Sequence, residues 1–568
     1  MTAPPANAAF FYAPDGYETK GRDIMGRHSA GEGFLKGYAR HSGADTLVCF
    51  SRSRAYAEHF ARQTATIRPP STKIRWVAHQ NPDRLADPGC LFFPGPNIDQ
   101  VAWQRRHYSA RGYSLCGVTH TTATRAVMES IGALLLAPVQ PWDAVICTSR
   151  AVRHTVEHVL DGYGAYLRER LGAEPPRPVQ LPVIPLGVDC AAFAPGPERD
   201  RRRAEARAGL GIDDDGVAVL FVGRLSHHGK AHPIPMYIGL EEAARRTGKR
   251  VFLIQAGWWA NKGQEAAFRE GAARYCPSID ALFVDGRQEK ARDDAWAAAD
   301  LFTSLSDNIQ ETFGLTPIEA MAAGLPVVVT DWDGYRDTVR PGIDGFAIPT
   351  RAPGPGLGVD LALRYAMDID SYDTYVAACS QFTEVDIAAG AEAYAALIGD
   401  PALRARMGEA GRRRAAAIYD WRVVVAAYQD LWTELAARRS HDTELAPRRP
   451  GLPIAPLRDD PFAVFASYPT TRVGGADRVA ALAGADAAVL QGLRASPLSA
   501  AALAYVGTEA ECTHILLLLN ERGPLTVEAV LNEFPSGRRL LLSRTLPWLA
   551  KHNLIRFLAS DEPLSLRA

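Results

Sequence analysis

The sequence contains few cysteines, and they form no recognisable pattern. Only 8 of the 568 residues are cysteine, and they are scattered singly with no C-x-x-C pair. This spacing argues against a disulfide framework and favours a reducing compartment. We expect the eight thiols to be buried and unreactive.

The chain also lacks an excess of charge of either sign. Lys and Arg number 63 and Asp and Glu 64, which gives a net charge of -1. Such a balance provides no overall field that would attract nucleic acid or an anionic membrane. We therefore expect no nucleic-acid partner, and any charged ligand must be recognised locally.

Long apolar runs are missing as well. The first residues, MTAPPANAAFFYAPDG, lack the basic and apolar regions of a signal peptide. The longest apolar runs, near IGALLLAPV and ILLLL, are shorter than a membrane span. We expect a cytoplasmic protein with no transmembrane segment, and association with a membrane surface stays open.

The sequence does have two series of alternating strand-like and helical segments. Residues 1–197 contain runs such as DTLVCFS and WDAVICTS, and residues 198–439 contain VAVLFVGR and LPVVVTDW. This alternation is typical of βα units and parallel sheets. We predict an α/β protein with two Rossmann-like, doubly wound domains, a cleft between them, and closing helices at the end of the second domain.

The remaining segments interrupt or follow these domains. Residues 351–386 are rich in Gly, Pro, Tyr and Asp and are predicted to be an inserted surface element, and residues 440–462 form a polar, Pro-rich linker. Residues 463–568 are predicted to form an accessory helical or winged-helix-like module. Its basic and acidic residues are balanced, so a protein contact or a structural role is favoured over DNA binding.

The segment ETFGLTPIEAMAAGLPVVV holds two glutamates, Glu311 and Glu319. A structural interpretation makes Thr316 the N-cap of a helix, with Glu319 completing a capping box and Pro317 at the first helical position. Gly324 would then end the helix. This interpretation leaves Glu311 unexplained.

A ligand would explain Glu311. The backbone of Phe313, Gly314, Leu315 and Thr316 lies where the helix begins, and free amides at a helix N-terminus favour an anion such as a phosphate. A carboxylate beside that site can accept hydrogen bonds from hydroxyl groups. A phosphate and a polyol side by side describe a sugar nucleotide.

The same segment resembles a known family. Glu, seven residues and Glu within this stretch resemble the signature of the retaining family 4 glycosyltransferases, which have the GT-B fold. The segments FVGRL (221–225), CTSRAVR (147–153) and PLGVDCAAF (185–193) resemble other motifs of that family. The resemblance covers about residues 10–435, and the combination is more specific than any single motif.

The resemblance implies roles for individual residues. Glu311 would bind hydroxyls of the donor sugar and Glu319 those of the ribose. Arg224 and Lys230 would neutralise the diphosphate leaving group. The segment RLSHHGK separates these two cations by one residue more than is usual in the family, so a solvated surface lysine stays an alternative for Lys230.

The N-terminal half offers further candidates. AGEGFLKG resembles the glycine-rich loop of the family, where Gly31 and Gly33 would let the backbone approach the donor phosphate and sugar. His120, in GVTHTT, would lie near the sugar and the attacking hydroxyl. A histidine satisfied within the core is the alternative.

Several short patterns suggest metal, but their context argues against it. Asp331 and Asp333 follow a strand, Asp368 and Asp370 lie in the predicted insertion, and three histidines in HHGKAH have two prolines nearby. We expect no metal ion and no cofactor, because fixed cations can neutralise the leaving group.

Together these features predict a retaining hexosyltransferase. It would move a hexose from a nucleoside diphosphate sugar to the hydroxyl of an acceptor, which the sequence does not identify as glycan, lipid, protein or small molecule. Another GT-B enzyme, such as a phosphorylase or a sugar-nucleotide epimerase, and a non-catalytic sugar-nucleotide sensor stay open. The C-terminal module could contact a protein partner.

Overall fold

The computed structural model describes residues 6–18 and 26–558. The chain divides into two compact units, Met1–Ala455 and Pro456–Ala568. The division falls inside the predicted linker, residues 440–462. No helix within the described ranges is long and apolar enough to cross a membrane.

The N-terminal domain is built on a parallel sheet. Within the described residues the sheet has six strands in the order β3-β2-β1-β4-β5-β6. The strands are β1 (Ala9–Phe11), β2 (Thr46–Ser51), β3 (Lys73–Ala78), β4 (Cys90–Phe93), β5 (Ser114–Val118) and β6 (Ala144–Ile146). Apolar clusters cover both faces of the sheet, which explains why most of its strands are apolar throughout.

The helices of this domain follow the strands, as doubly wound folds require. They are α1 (Gly26–His41), α2 (Arg54–Thr64), α3 (Asp99–Arg106), α4 (Arg125–Ala133) and α5 (Arg150–Leu171). Hydroxyl side chains of Ser53, Thr124 and Ser149 accept hydrogen bonds from amides in the first turns of α2, α4 and α5. These N-caps fix where each helix starts.

The second domain repeats this architecture. Its strands are β7 (Val217–Val222), β8 (Val251–Gly257), β9 (Asp280–Asp285), β10 (Leu301–Ser304), β11 (Val327–Thr330) and β12 (Gly345–Ile348). Its helices are α6 (Pro197–Leu210), α7 (Pro233–Thr247), α8 (Lys262–Tyr275), α9 (Glu289–Ala298), α10 (Leu315–Ala322) and α11 (Tyr335–Thr338).

The strand order of the second sheet is β12-β11-β10-β7-β8-β9, and its strand pairs are parallel. Counted from the first strand of each domain, both sheets therefore have the order 3-2-1-4-5-6, which is that of the Rossmann fold. The predicted fold class, two Rossmann-like domains of the GT-B type, is confirmed.

The predicted insertion consists of two helices on a short ladder. Its elements are β13 (Thr350–Arg351), α12 (Val359–Ala366), α13 (Tyr372–Gln381) and β14 (Glu384–Val385). Strands β13 and β14 pair antiparallel, and Arg351 forms an ion pair with Glu384 at 3.1 Å. The insertion therefore leaves and re-enters the second domain at one point.

The closing helices are α14 (Ile387–Gly399), α15 (Pro401–Arg414) and α16 (Trp421–His441). The last of them packs on the N-terminal domain, where Trp421, Tyr428 and Trp432 join the cluster that contains Phe34. A Cβ atom on Gly187 would lie 2.4 Å from the Trp421 ring, so the chain must be glycine there. Helix α16 thus ties the two domains together.

The second unit contains a helix-turn-helix followed by a strand, in the order that the sequence predicted. Its elements are α17 (Pro461–Val464), β15 (Arg478–Ala481), α18 (Ala487–Ala495), α19 (Glu509–Arg522), β16 (Leu525–Thr526), α20 (Val527–Asn532), α21 (Ser536–Lys551) and β17 (Ile555–Phe557). The strands form an antiparallel sheet in the order β16-β15-β17. Thr508 and Glu511 form a complete capping box at the start of α19.

All eight cysteines are free thiols, and six of them are buried. Burial raises the pKa of the Cys49 thiol to about 12, and the pKa of Cys147 also rises to about 12 for the same reason. Because the thiolate is the reactive form, such thiols are unreactive near neutral pH. Cys190 and Cys379 are partly buried.

The segment after α16 belongs to the first unit, which leads to a truncation prediction. The Leu445 amide donates to Gln140 Oε1 at 2.9 Å, Gln140 Nε2 donates to the Leu445 carbonyl at 3.0 Å, and Arg106 donates to the Ala446 carbonyl at 2.6 Å. A chain ending at residue 455 should keep these bonds. A chain ending at residue 440 leaves Oε1 of the buried Gln140 without its donor, and its free energy of unfolding should be lower by about 1–3 kcal/mol.

Denaturant unfolding of the two truncated chains measures this difference. The chain ending at residue 455 should unfold cooperatively. Its denaturant midpoint should equal the midpoint at which the first unit unfolds within the full chain. Equal stability of the two truncated chains would contradict the prediction.

Candidate active site

The candidate site lies where the second sheet reverses its strand order. Strands β7 and β10 are neighbours in the sheet, although β8 and β9 lie between them in the chain. The loops that follow β7 and β10 open a crevice at the carboxyl ends of these strands. In doubly wound folds ligands bind at this reversal point. Residues 223–232 follow β7, and residues 305–314 follow β10.

Hydrogen bonds join these two loops. They are Ser306 Oγ to the Lys230 carbonyl at 3.1 Å, Asn308 Nδ2 to the His228 carbonyl at 2.6 Å, and Gln310 Nε2 to the Gly229 carbonyl at 3.1 Å. These side chains bond to the carbonyls of three consecutive residues of the β7 loop. The loop is therefore held in one conformation against its neighbour.

Lys230 and Glu311 form an ion pair across the crevice. Their side chains are only 20% and 13% exposed. The amide of Thr312 also donates to Glu311 Oε1 at 3.3 Å. The structure therefore brings Lys230 into the site despite the long spacing from Arg224, and the alternative of a solvated surface lysine is wrong.

Burial and charge act in opposite directions on this pair. Burial favours the neutral form of Glu311, but the nearby Lys230 ammonium more than offsets it and lowers the pKa of the carboxyl group below its usual value. Burial likewise opposes the charge on Lys230, and Glu311 nevertheless raises the pKa of its ammonium group. Both groups are charged at neutral pH.

Arg224 lies on the same loop as Lys230. It follows β7 after Gly223, and its Nη2 donates to the Gly229 carbonyl at 3.4 Å. Arg224 is near enough to Lys230 to lower the pKa of the lysine by repulsion, although Glu311 outweighs this effect. Two cations and one carboxylate thus share the crevice.

Helix α10 starts earlier than the sequence predicted. The helix runs from Leu315 to Ala322, Gly314 is its N-cap, and no side chain caps it. Thr316 is therefore inside the helix, and its hydroxyl is buried without a hydrogen-bond partner. The predicted capping box of Thr316 and Glu319 is wrong.

The position of Gly314 explains this difference. Its φ of +88° is one that residues with a side chain rarely adopt, and a Cβ atom there would lie 2.0 Å from the Tyr335 ring. Packing of Tyr335 against the loop thus sets the start of the helix. At the other end, Gly324 and Leu325 donate to the carbonyls of Met321 and Ala320, as a glycine C-cap should.

Glu319 is left without a structural role as a cap. Burial raises the pKa of its carboxyl group, and the charges of Arg292 and Lys230 oppose this shift. Within the described ranges no donor hydrogen-bonds to its carboxylate. A ligand hydroxyl could satisfy this carboxylate.

Tyr335 was missed in the sequence, and Asp333 was considered there only as a metal ligand. The Tyr335 hydroxyl lies 2.9 Å from Ser304 Oγ, and its ring packs against Gly314. Asp333 has a left-handed φ of 41° and accepts a hydrogen bond from Ser149 Oγ at 3.3 Å. Burial raises the pKa of Asp333 to about 8, and the charge of Glu311 adds to the shift.

His120 lies at the carboxyl end of β5 and is partly buried. Its neighbour Thr119 is fixed to β6, because its amide and hydroxyl donate to the Ile146 carbonyl at 2.8 and 3.1 Å and its hydroxyl accepts from the Thr148 amide at 3.2 Å. His120 therefore sits at the carboxyl edge of the N-terminal sheet. Its place near the sugar and the attacking hydroxyl stays a prediction.

Gly31 and Gly33 lie inside helix α1, so the prediction that they form a loop is wrong. A Cβ atom on Gly31 would lie 2.1 Å from the Gly16 carbonyl oxygen, and one on Gly33 would lie 3.0 Å from the Trp421 ring. Both glycines therefore allow close packing within the protein. Their contact with a donor stays a prediction.

Contacts also cross from one domain to the other beside the crevice. Besides the bond from Ser149 to Asp333, the amide of Arg150 donates to Asp337 Oδ2 at 2.6 Å and its Nε donates to Oδ1 at 2.6 Å. These residues start helix α5 on one side and lie around helix α11 on the other. The start of α5 is thereby held against loops of the second domain.

The aspartates of the two D-x-D patterns have protein partners. Asp331 pairs with Arg336 at 3.2 Å, Asp333 binds Ser149, Asp368 pairs with Arg125 at 2.8 Å, and Asp370 pairs with Arg364 at 2.7 Å. In the part of the chain that the structure describes, no three metal-binding side chains come together. Metal independence stays a prediction.

Residues 202–354 match the family described as glycosyl transferases group 1. The match includes the loop after β7, the loop after β10 and helix α10. The resemblance to glycosyltransferases that the two glutamates indicated is therefore confirmed over these residues, and the retaining mechanism stays a prediction.

Two curated relatives are D-inositol 3-phosphate glycosyltransferases. The protein of Kineococcus radiotolerans is 26% identical over 431 residues, which are 70% of this chain and 90% of that protein. The protein of Geodermatophilus obscurus is 33% identical over 196 residues, which are 33% of this chain and 40% of that protein. The chain thus spans most of the first relative and less than half of the second.

Among solved structures, a crystal structure of Anabaena Alr3699/HepE in complex with UDP is similar to this chain. The TM-score is 0.49 at 15% identity, and the match covers 75% of this chain and 100% of that chain. The fold follows from the strand order of the two sheets.

The raised pKa of Asp333 predicts a pH-dependent stability. Because its pKa is about 8 in the folded protein and about 4 when unfolded, the folded state holds the proton more tightly. The contribution of Asp333 to the free energy of unfolding is complete below about pH 4 and is lost as the pH rises through about 8. Between these values the free energy of unfolding falls by up to about 1.4 kcal/mol per pH unit.

Denaturant unfolding at several pH values from roughly pH 5 to pH 9 tests this, because the range includes the folded-state pKa of Asp333. The Asp333→Asn variant should have a shallower slope, since it cannot ionise and asparagine tolerates a left-handed φ. The part that remains comes from other buried carboxyl groups such as Asp307, whose pKa burial raises to about 7. Asp331→Asn, next to it and paired with Arg336, should keep the slope. The same pH dependence in Asp333→Asn and in the unmodified protein would contradict the assignment.

Proposed function

We propose that this chain, whose second domain matches the group 1 glycosyltransferases, transfers a hexose from a nucleoside diphosphate sugar to an acceptor hydroxyl with retention of configuration. The observation that carries the proposal is the buried ion pair of Lys230 and Glu311 at the reversal point of the second sheet. A cation for the diphosphate and a carboxylate for the sugar lie side by side there.

The ion pair prepares the site for the donor. Without ligand, each charge neutralises the other, so neither is buried alone. When the donor binds, its diphosphate takes the place of Glu311 as partner of Lys230, with Arg224 as a second cation. The freed Glu311 carboxylate accepts hydrogen bonds from hydroxyls of the sugar.

The chemical step exchanges one bond at the sugar carbon for another. The bond from C1 to the diphosphate oxygen breaks, the bond from C1 to the acceptor oxygen forms, and the acceptor proton passes to the leaving phosphate. Because attack and departure occur on the same face, the configuration is retained. Lys230 and Arg224 stabilise the charge that develops on the diphosphate.

The carboxylate of Glu319 has a separate part in this proposal. It accepts hydrogen bonds from the ribose hydroxyls, which satisfies a carboxylate that has no donor in the described protein. Loss of that contact affects donor affinity more than the chemical step, because the ribose does not react.

The acceptor is a hydroxyl compound bound on the side of His120. The two curated relatives act on D-inositol 3-phosphate according to their names. This compound is therefore the first acceptor to test. A non-catalytic sensor would bind the donor without hydrolysing or transferring it, so turnover distinguishes the two functions.

Transfer assays with UDP-, ADP- and GDP-glucose and D-inositol 3-phosphate test the proposal. Glu311→Gln should lower kcat by roughly a hundredfold, since it removes a charged hydrogen bond at the reacting sugar. Glu319→Gln should mainly raise KM for the donor. Glu270→Gln, an exposed change on helix α8, is the control and should leave both constants unchanged.

Circular dichroism must show that the variants are folded. Unchanged kcat in a folded Glu311→Gln variant would contradict the role of Glu311. Donor binding without any turnover in the unmodified protein, with every donor and with water as acceptor, would favour the sensor.

We also propose that the reaction needs no metal ion. Lys230 and Arg224 already provide positive charge where the diphosphate would lie, and a fixed cation does not depend on a dissociable ion. Transfer should therefore survive exhaustive chelation with EDTA, whereas Arg224→Ala should lower kcat by a factor of roughly a hundred. Loss of activity on chelation that magnesium or manganese restores would contradict this account.

A further inference from the structure

The insertion, residues 350–385, reaches across to the N-terminal domain. Arg125, the first residue of α4, forms an ion pair with Asp368 at 2.8 Å, and its guanidinium lies over the Tyr365 ring at 5.2 Å. The guanidinium also donates to the Tyr365 carbonyl, and the Arg125 amide donates to the Tyr365 hydroxyl at 3.2 Å. Four contacts therefore converge on one arginine.

A second contact lies closer to His120. The hydroxyls of Thr121 and Tyr372 are 3.4 Å apart. Thr121 directly follows His120 in the loop 119–124, which connects β5 with α4. Thr119 fixes one end of this loop to β6, and the insertion holds the other end through Thr121 and Arg125.

The insertion is itself well braced. The rings of Tyr365 and Tyr375 stack at 4.7 Å with an angle of 7° between their planes. Arg364 pairs with Asp370 at 2.7 Å, and Val376 is fully buried. A braced element can hold another loop in place, whereas a loose one would move with it.

The contacts of the insertion favour the acceptor side over the donor side. In the described parts of the chain, no hydrogen bond or ion pair joins the insertion, residues 350–385, to Lys230, Glu311 or Glu319. Tyr372 lies near enough to Arg224 for the arginine charge to favour its ionised form, but burial outweighs this effect. The hydrogen bonds and ion pair that link the insertion to the N-terminal domain lead instead to the loop that carries His120 and to the first residue of α4.

We propose that the insertion is an acceptor-positioning element, in which Tyr372 and Arg125 hold the His120 loop in the place where it meets the acceptor hydroxyl. Tyr372 and Arg125 are positioning residues, since they act through the loop. This inference rests on the proposed function. It assigns the insertion to use of the acceptor and not to binding of the donor.

The test compares single-hydroxyl changes within the insertion. Tyr372→Phe removes the hydroxyl that faces Thr121. Tyr375→Phe removes a hydroxyl from the same helix but keeps the ring that stacks on Tyr365, so it is the matched control. Arg125→Ala removes the ion pair with Asp368 and the contact with the Tyr365 carbonyl.

The first readout is hydrogen exchange of the peptide that covers residues 119–125, which needs no ligand. Tyr372→Phe and Arg125→Ala should raise its exchange rate about tenfold, while Tyr375→Phe should leave it unchanged. Unchanged exchange in both variants would overturn the proposal, whatever the enzyme assays show.

The second readout separates transfer from donor use, with UDP-glucose as donor and D-inositol 3-phosphate or water as acceptor. Tyr372→Phe and Arg125→Ala should lower kcat for transfer by roughly tenfold to a hundredfold, because a displaced loop no longer orients the acceptor hydroxyl for reaction. KM for UDP-glucose should be unchanged. A raised donor KM with unchanged kcat would overturn the proposal. Absence of donor binding in the unmodified protein would instead count against the proposed function, and the exchange measurement would still decide the role of the insertion.

Discussion

The buried pair of Lys230 and Glu311 is the interaction on which the candidate site depends. Removing one partner of such a pair leaves a charge that is poorly solvated, which costs up to about 3–5 kcal/mol where burial is complete. The pair must therefore be held in register, and the bonds from Ser306, Asn308 and Gln310 between the two loops provide this. In our proposal the diphosphate of a sugar nucleotide replaces Glu311 as the partner of Lys230, and the sugar hydroxyls replace Lys230 as the partner of Glu311. The same pair can therefore satisfy both charges without a ligand and receive a donor.

The architecture places this pair and holds the opposite wall. Because the two sheets have the same strand order, each domain has a reversal point where a ligand can bind. Helix α16 fixes one domain to the other, since its aromatic side chains pack on α1. Ser149 and Arg150 then contact the donor side at Asp333 and Asp337. The insertion adds a third connection, at the loop of His120, and so distinguishes this chain's cleft from one formed by two Rossmann-like domains alone.

The sequence predicted what depends on local pattern. Alternating apolar and helical segments predicted both sheets, and the spacing of Glu311 and Glu319 indicated the crevice. The capping box failed because Tyr335, a residue beyond helix α10 in the chain, packs where a side chain on Gly314 would lie. The contact of Thr121 with Tyr372 joins residues 251 positions apart, and no periodicity indicates it. The start of helix α10 and the contact of the insertion with the His120 loop thus depend on long-range packing, which local sequence patterns do not reveal.

Titration of UDP into variants of the ion pair tests the central claim most directly. If the diphosphate replaces Glu311 as partner of Lys230, then Lys230→Met should weaken UDP binding by roughly tenfold or more, because it removes a charged hydrogen bond. Glu311→Gln frees the lysine and should bind UDP at least as tightly as the unmodified protein. Loss of UDP affinity in Glu311→Gln as large as that in Lys230→Met would contradict the account.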